Sequence, residues 1–179
     1  MLHYLSTQEM LRGLRDGQIQ VALLVGLSKR VLTGLMFEEL RRYAVCVAAH
    51  PCHPLARARK VSLAQVANER LVAYWLADYP EYHAWLADLF ATVKRSPQIA
   101  EEHEGATSLI AAVEAGRGVA LVQDGFECLA GPRLRVRLLS PAPPPFAFGV
   151  AWRKGVQSAA VVNFVKAARQ AKSVPKARI

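Results

Sequence analysis

Apolar residues recur with a helical period in some stretches of the chain and form continuous runs in others, and glycine or proline separates the two kinds of stretch. In LSTQEMLRGLRDGQIQVALLV, Ser6 with Glu9 three residues later has the spacing of a capping box, which predicts a helix to about Asp16. Gly17 supplies a left-handed stop, and the apolar segment 19–25 predicts a buried strand. The predicted unit is helix, glycine, strand.

The segment GATSLIAAVEAGRGVALVQ repeats this order, with Thr107 or Ser108 as the expected helix cap and residues 119–122 as the strand. Gly116 and Gly118 could also suggest a phosphate cradle, but a dinucleotide fingerprint follows a strand and opens a helix. Here the glycines close a helix, where the free backbone groups are carbonyls that repel phosphate. The pattern therefore indicates a helix stop.

The rest of the chain continues to alternate between helix and strand patterns. Strands are predicted at 42–48, 70–75, 97–103, 134–139 and 146–154, helices at 61–69, 80–93 and 156–171, a loop at 50–60 and a stiff linker, SPAPPP, at 140–145. This alternation predicts an α/β fold with largely parallel sheets.

The composition of the chain indicates a broad class of protein and a cellular compartment. A chain of 179 residues that is 53% hydrophobic can bury a sizeable core, as one domain or two small lobes. No apolar run reaches the ~20 residues of a membrane span, and the first residues lack the pattern of an export signal. Three cysteines, an odd number, fit free thiols in a reducing compartment. We expect a cytoplasmic protein without a membrane contact.

The net charge of +9 belongs to the last third, because ten Lys or Arg and no acidic residue follow Cys128. Arg133, Arg135 and Arg137 alternate with apolar residues, as on a strand with one solvated side. This pattern favours a solvated face over a nucleic-acid patch.

The motifs of common enzymes are missing, since no GxSxG, HExxH or Walker GxxxxGK sequence occurs. The segment EEHEG places Glu101 beside His103, as an acid/base pair would require, but a solvated strand end is the favoured interpretation. We expect no enzyme activity and no cofactor.

Four residues that lie close together in the sequence have side chains that can bind a metal, but they lack the paired spacing of a structural zinc site. These residues are Cys46, His50, Cys52 and His53. An ordinary loop is the favoured interpretation, and no metal is expected.

The two helix starts remain as candidate binding sites. A helix N-terminus with spare N–H groups and a hydroxyl can bind a small anion such as a carboxylate. Plain capping is the alternative for each helix start alone. On matched units, Ser6 with Thr7 and Thr107 with Ser108 suggest two lobes whose helix starts face one cleft.

Four phrases, LSTQEMLRGLRDGQIQVAL, HPCHPLA, VSLAQVANERLV and SLIAAVEAGRGVALV, resemble in this order the effector-binding domain of LysR-type transcriptional regulators. The resemblance implies two Rossmann-like lobes, similar to type II periplasmic binding proteins, joined by two crossing segments. The lobes would be 1–41 with 146–179, and 42–145. It also implies that a small effector, often a carboxylate, binds between the lobes. Binding of the effector would change how promoter DNA is held.

If the effector contacts of the family are carried over by position, Ser6 and Thr7 at the first helix start would contact the effector. Residues of the second helix start would also contact it, and two residues at a strand end are candidates for the wall of the binding site. The second start would contribute Ala106, Thr107 and Ser108, and the walls Tyr74 and Trp75. The two wall residues could instead belong to the core.

The sequence departs from the family pattern at its beginning. The winged helix-turn-helix domain is missing, as are the first strand and helix of lobe I, since residues 2–5 are interpreted as the second strand. Promoter DNA would then be contacted only through a missing N-terminal domain, and a homo-oligomer is expected from the family. The alternative is a stand-alone binding protein or an enzyme on the same two-lobed fold.

Overall fold

The computed structural model describes residues 3–156 and 158–172. Its elements in chain order are α1 (Thr7–Asp16), β1 (Val21–Val25), β2 (Leu35–Tyr43), β3 (Val45–Ala49), α2 (Pro54–Arg57), α3 (Leu63–Val66), β4 (Leu71–Tyr74), α4 (Pro80–Ala91), β5 (Ile99–His103), α5 (Ala106–Glu114), β6 (Ala120–Gln123), α6 (Glu127–Ala130), a 3-10 turn (Gly131–Arg133), β7 (Arg135–Leu138), β8 (Phe146–Arg153) and α7 (Ala159–Lys172). Within the described ranges, no helix is both long and apolar enough to cross a membrane.

The chain divides into two compact units. Unit 1 consists of Met1–Arg42 and Phe146–Ile179, and unit 2 of Tyr43–Pro145.

The sheet of unit 1 has the order β1-β8-β2, with β8 in the centre and β1 antiparallel to it. Successive side chains of a strand point to opposite faces. Accordingly, Ala151 packs with Leu11 and Leu14 of α1, whereas Val150 packs with Val161 and Val165 of α7. One central strand thus supports both apolar layers of unit 1.

The first helix begins and ends as the sequence predicts. Ser6 is its N-cap, and Gly17 follows it with a φ of 75°. Strand β1 starts two residues later than the predicted position 19 and is only half buried, because it lies at the edge of its sheet. The predicted strand at residues 2–5 is wrong for residues 3–5, which lie in no strand, and Leu2 is outside the described residues.

Unit 2 contains a three-stranded sheet, β6-β3-β7, and a two-stranded sheet, β4-β5. All five residues of β3 are buried, and its side chains join a core with Leu109, Ile110 and Val113 of α5. The prediction of largely parallel sheets is wrong: β3 is antiparallel to both neighbours and β1 is antiparallel to β8, whereas β4 and β5 form a parallel pair. The helix and strand order alone does not fix strand direction when the chain leaves a sheet and returns to it.

The glycines of the second helix-strand unit have different structural roles. Gly116, after α5, has a φ of 73° in the left-handed region, so the predicted helix stop is confirmed. Gly118 lies against the backbone of Arg70, where a Cβ atom would overlap the carbonyl oxygen. This close approach lets Val119, just before β6, make two backbone hydrogen bonds to the start of β4. Val119 N donates to Arg70 O and Val72 N donates to Val119 O, both at 2.9 Å.

Two further segments differ from the sequence prediction. The single strand predicted at 42–48 is two strands, β2 and β3, separated at Ala44. The predicted loop at 50–60 contains the short helix α2, which His53 caps by accepting a hydrogen bond from Leu55 N through Nδ1 at 3.2 Å. The capping box of α3, with Ser62 and Gln65, is confirmed.

Candidate functional site

The start of α1 is already occupied by a carboxylate of the chain. Glu9 Oε2 accepts a hydrogen bond from Ser6 N at 2.7 Å, and Ser6 Oγ accepts one from Glu9 N at 3.2 Å. The hydrogen bond from the Ser6 backbone is the main reason that the pKa of Glu9 lies below its usual range. Ser6 and Thr7 are both buried. A second anion at this helix start would therefore meet both a charged neighbour and an occupied donor.

The start of α5 has a different construction. Gly105 is the N-cap, so the prediction that Thr107 or Ser108 caps this helix is wrong. A glycine can cap because it adopts the extended conformation without a side chain, but it offers no acceptor to the first turn. Ser108 lies inside the helix, and its Oγ donates to Gly105 O at 3.1 Å. Thr107 and Ser108 are exposed, and Ala106 is half buried.

The first-turn N–H groups of α5 at Ala106, Thr107 and Ser108 have no acceptor among the described residues. The first N–H groups of a helix carry a partial positive charge and satisfy themselves with side chains, water or a ligand. Of the two predicted helix starts, α5 is the one whose first turn contains no carboxylate of its own.

Two aromatic residues of unit 2 are hydrogen-bonded to the segment that precedes this helix start. Tyr79 Oη donates to Glu104 O at 3.2 Å, and Trp75 N donates to His103 O at 2.9 Å, so both residues join the segment that leads into α5. The sequence did not indicate Tyr79, because its partner is 25 residues away and no local pattern connects them.

The two wall candidates differ in environment. The Tyr74 ring lies 4.9 Å from that of Tyr79 and 5.2 Å from that of Tyr82, measured between centroids. Burial, with a smaller contribution from Tyr79, raises the pKa of Tyr74 to about 12. Trp75 is 44% exposed. Tyr74 therefore serves the packing of unit 2, and Trp75 offers a free aromatic face.

One histidine in this region, His83, lies beside a carboxylate. His83 Nε2 lies 2.5 Å from Tyr74 O and 3.2 Å from Glu102 Oε1. Tyr82, beside His83, donates from Oη to Leu121 O at 3.3 Å, and burial raises its pKa.

The residues of EEHEG form an ion-paired strand rather than an acid/base couple. Arg117 Nη1 lies 3.0 Å from Glu101 Oε1, and His103 Nε2 lies 3.5 Å from Glu101 Oε2. The hydrogen bond from Arg117 is the main reason that the pKa of Glu101 is lowered. A carboxylate kept ionised by a guanidinium is a poor proton acceptor.

Of the four possible metal ligands, the two histidines use ring nitrogens for hydrogen bonds within the loop. His50 Nδ1 accepts from Cys52 N at 3.1 Å, His53 caps α2 and lies 3.5 Å from Glu69, and Cys46 is buried in β3. In the described part of the chain, no group of three or more His, Cys, Asp or Glu is arranged to hold a metal ion.

Comparisons with known proteins agree with this architecture. Residues 1–173 match the family model described as the LysR substrate binding domain. A search of curated protein sequences found no match.

Among solved structures, the effector-binding domain of QuiR in complex with shikimate is similar, with 19% identity, a TM-score of 0.79, and coverage of 93% of this chain and 78% of that chain. The BenM effector-binding domain with its effector benzoate has 20% identity, a TM-score of 0.75, and coverage of 98% and 81%. Full-length CbnR complexed with its target DNA has 19% identity and a TM-score of 0.81, with coverage of 97% of this chain but only 60% of the regulator.

The predicted fold class is therefore confirmed as α/β with two lobes of the periplasmic-binding-protein type. The family model covers nearly the whole sequence. The chain belongs to the LysR substrate-binding domain family.

Proposed function

We propose that this chain is the ligand-sensing module of a LysR-type transcriptional regulator and that its effector is a small carboxylate. The observation that carries this proposal is the start of α5, which no side chain caps and where three N–H groups have no acceptor among the described residues. Similar domains support it, since QuiR and BenM are described with shikimate and benzoate, both of which are carboxylates.

The carboxylate is proposed to bind the first turn of α5, through the N–H groups of Ala106, Thr107 and Ser108 and the hydroxyl of Thr107. The partial positive charge of the helix N-terminus and the hydrogen-bond donors lie at the same place there, as in other anion sites at helix N-termini. The exposed ring of Trp75 supplies an apolar wall, with Tyr74 behind it in the aromatic cluster.

Ser6 and Thr7 remain in the proposal with a narrower role. Because Glu9 already neutralises the start of α1, we propose that these residues contact hydroxyl or other uncharged polar groups of the effector.

In this proposal the module acts by binding. It would work in the cytoplasm within a homo-oligomer, and contact with promoter DNA would come from a winged helix-turn-helix domain outside the present sequence. CbnR, a full-length regulator of this kind, is described in complex with its target DNA. Ligand recovered unchanged after incubation with the protein would separate this role from the alternative of an enzyme on the same fold.

The test is calorimetric titration with benzoate and shikimate as probes, on the present chain and on Thr107→Asp. Aspartate in the first turn brings a negative charge to the proposed anion site, yet it is favourable to the helix by about 0.3–1 kcal/mol. Affinity should fall at least tenfold while stability is kept or slightly raised. Thr107→Asn is the matched control without the charge. Equal binding by all three proteins would refute the site, and no binding of any small carboxylate would refute the effector class.

A further inference from the structure

Charged residues are distributed unevenly along the sequence of unit 2. Residues 43–145 contain ten basic and ten acidic side chains, so unit 2 has no formal net charge. All ten acidic residues lie within 69–127, whereas the segments 44–68 and 128–145 contain six of the basic residues and no Asp or Glu. Two segments that are far apart in the sequence therefore carry an unbalanced positive charge.

The fold brings these two segments together. Arg137 Nε on β7 donates a hydrogen bond to Ala56 O of α2 at 2.9 Å, and Ser140 N donates one to Val61 O at 2.7 Å. Because alternate side chains of a strand share a face, Arg135 lies on the same side of β7 as Arg137. The combined surface, which we call the basic edge, is formed by the exposed side chains of Arg57, Arg59, Lys60, Arg135 and Arg137.

The basic edge lies at one margin of unit 2. Strand β7 is at the edge of its sheet, next to β3, and β6 follows on the other side of β3. Val119, just before β6, is hydrogen-bonded to β4, and β4 pairs with β5. Strand β5, which carries Glu101 and Glu102, is therefore at the opposite margin from β7. A polyanion that approaches unit 2 is attracted by one margin and repelled by the other.

The charges of the basic edge are in excess of the acidic groups around it. None of the ion pairs found among the described residues includes a side chain of the basic edge. Asp124 and Glu127 line a cavity together with two arginines of the basic edge, so they lower the positive potential there. Arg135 lies at the other end of β7, opposite Ala49, whereas Asp124 is bonded to Ala44. The positive potential is thus least reduced around Arg135.

Phosphate groups of a nucleic-acid duplex fit this surface best. Four of its five basic residues are arginines, and a planar guanidinium can donate two parallel hydrogen bonds to one phosphate. The segments 44–68 and 128–145 contain no Phe, Tyr or Trp, on which the bases of a single strand would stack. Contacts with phosphates fix a protein on a duplex without reading its sequence.

We propose that the basic edge of unit 2 binds the phosphate backbone of duplex DNA independently of sequence. The arginines of β7 alone have the pattern of a solvated face, and the segment 57–60 adds three basic side chains that no local pattern groups with them. The choice of promoter stays with the winged helix-turn-helix domain, and the basic edge adds affinity. This inference does not rest on the effector site proposed at α5, because no residue of α5 belongs to the basic edge.

The experiment is a fluorescence-anisotropy titration of a short labelled DNA duplex of random sequence with the present chain, at several salt concentrations. Binding should weaken as salt rises, because each neutralised phosphate adds about 0.9 to the slope of log K against log salt. The triple variant with Arg57→Gln, Lys60→Gln and Arg135→Gln should bind at least about tenfold more weakly at low salt, and its slope should be smaller by about two to three.

The matched control removes two arginines and one lysine from unit 1, through Arg30→Gln, Arg153→Gln and Lys154→Gln. All six substituted residues are exposed, so folding is not at risk. The control variant should keep its affinity within about threefold, because salt screens charges that do not contact the duplex.

Equal losses in the two triple variants would show that net charge alone binds DNA and would overturn the assignment to the basic edge. Absence of saturable DNA binding by the unsubstituted chain at the lowest salt would overturn the proposal outright. Vesicles that contain phosphatidylserine are the second probe. If the basic-edge variant lost binding to these vesicles but kept its binding to DNA, the surface would be assigned to a membrane instead.

Discussion

Two glycines two residues apart should respond to substitution by different physical mechanisms. A Cβ atom at position 118 would overlap the carbonyl oxygen of Arg70 and lie 3.3 Å from a methyl carbon of Val72. Relief of that overlap requires the start of β6 to move from β4. The movement would break the hydrogen bonds that Val119 makes with Arg70 O and Val72 N, both at 2.9 Å.

The cost of Gly118→Ala follows from those contacts. Two backbone hydrogen bonds contribute about 2 kcal/mol together, and the steric overlap adds about 1–3 kcal/mol. We therefore expect a loss of roughly 3–5 kcal/mol in the free energy of unfolding. Gly116→Ala meets no atom within 4 Å and costs only the left-handed conformation, about 1–2 kcal/mol.

The assay is urea denaturation followed by circular dichroism, with asparagine variants as the discriminating control. Asparagine tolerates the left-handed region, so Gly116→Asn should recover part of the loss seen with Gly116→Ala. Gly118→Asn should be no better than Gly118→Ala, because the larger side chain does not remove the overlap. If Gly118→Ala stayed within about 0.5 kcal/mol of the unsubstituted chain, the close approach would not constrain the fold as argued.

Three further outcomes follow from the packing and the charges. Phe90→Ala should cost about 3–5 kcal/mol in a urea titration, because the ring is completely buried in unit 2; a loss below 1 kcal/mol would contradict that burial. Ser6→Ala should cost about 1 kcal/mol of the free energy of unfolding through loss of the cap. The pKa of Glu9 is lower in the folded chain than in the unfolded chain. The contribution of Glu9 to stability is therefore present above its unfolded-state pKa and is lost as the pH falls through its folded-state pKa. Thermal unfolding of the chain and of Glu9→Gln between neutral and acidic pH tests this, since the difference between them should shrink on acidification. The bidentate pair between Glu38 and Arg169, with both oxygen–nitrogen distances at 2.6 Å, is exposed, so a double-mutant cycle should give a coupling of at most about 1 kcal/mol that decreases with added salt.

Sequence patterns predicted the local features of this fold well. The capping boxes at Ser6 and Ser62 and the left-handed stops at Gly17 and Gly116 depend on residues within four positions of one another. Helix α4 was predicted from the spacing of its apolar residues, and Leu86, Leu89 and Phe90 are its buried positions. Such features are encoded locally, so a single sequence is enough to find them.

Features that depend on distant partners were not predictable in the same way. The direction of β3 relative to β6 and β7 is set by how the chain returns to the sheet, and period-2 or apolar patterns are the same for both directions. The cap of α5 was misplaced because Gly105, a weaker cap in sequence statistics, precedes two residues that usually cap. The hydrogen bond from Tyr79 Oη to Glu104 O joins residues 25 positions apart, so no local signal could have indicated it.

The environment of Trp75 also allows ligand binding to be followed by the intrinsic tryptophan fluorescence of the protein. The chain has three tryptophans, and Trp75 is the one whose backbone N–H is bonded to His103, close to the start of α5. Trp85 lies with its ring 5.7 Å from that of Tyr82, and Trp152 is half buried in the sheet of unit 1. A ligand that covered the indole of Trp75 would shift its emission to shorter wavelength while the other two tryptophans kept theirs. Candidate effectors can thus be screened in solution without a label, and Trp75→Phe identifies the part of the signal that comes from this one residue.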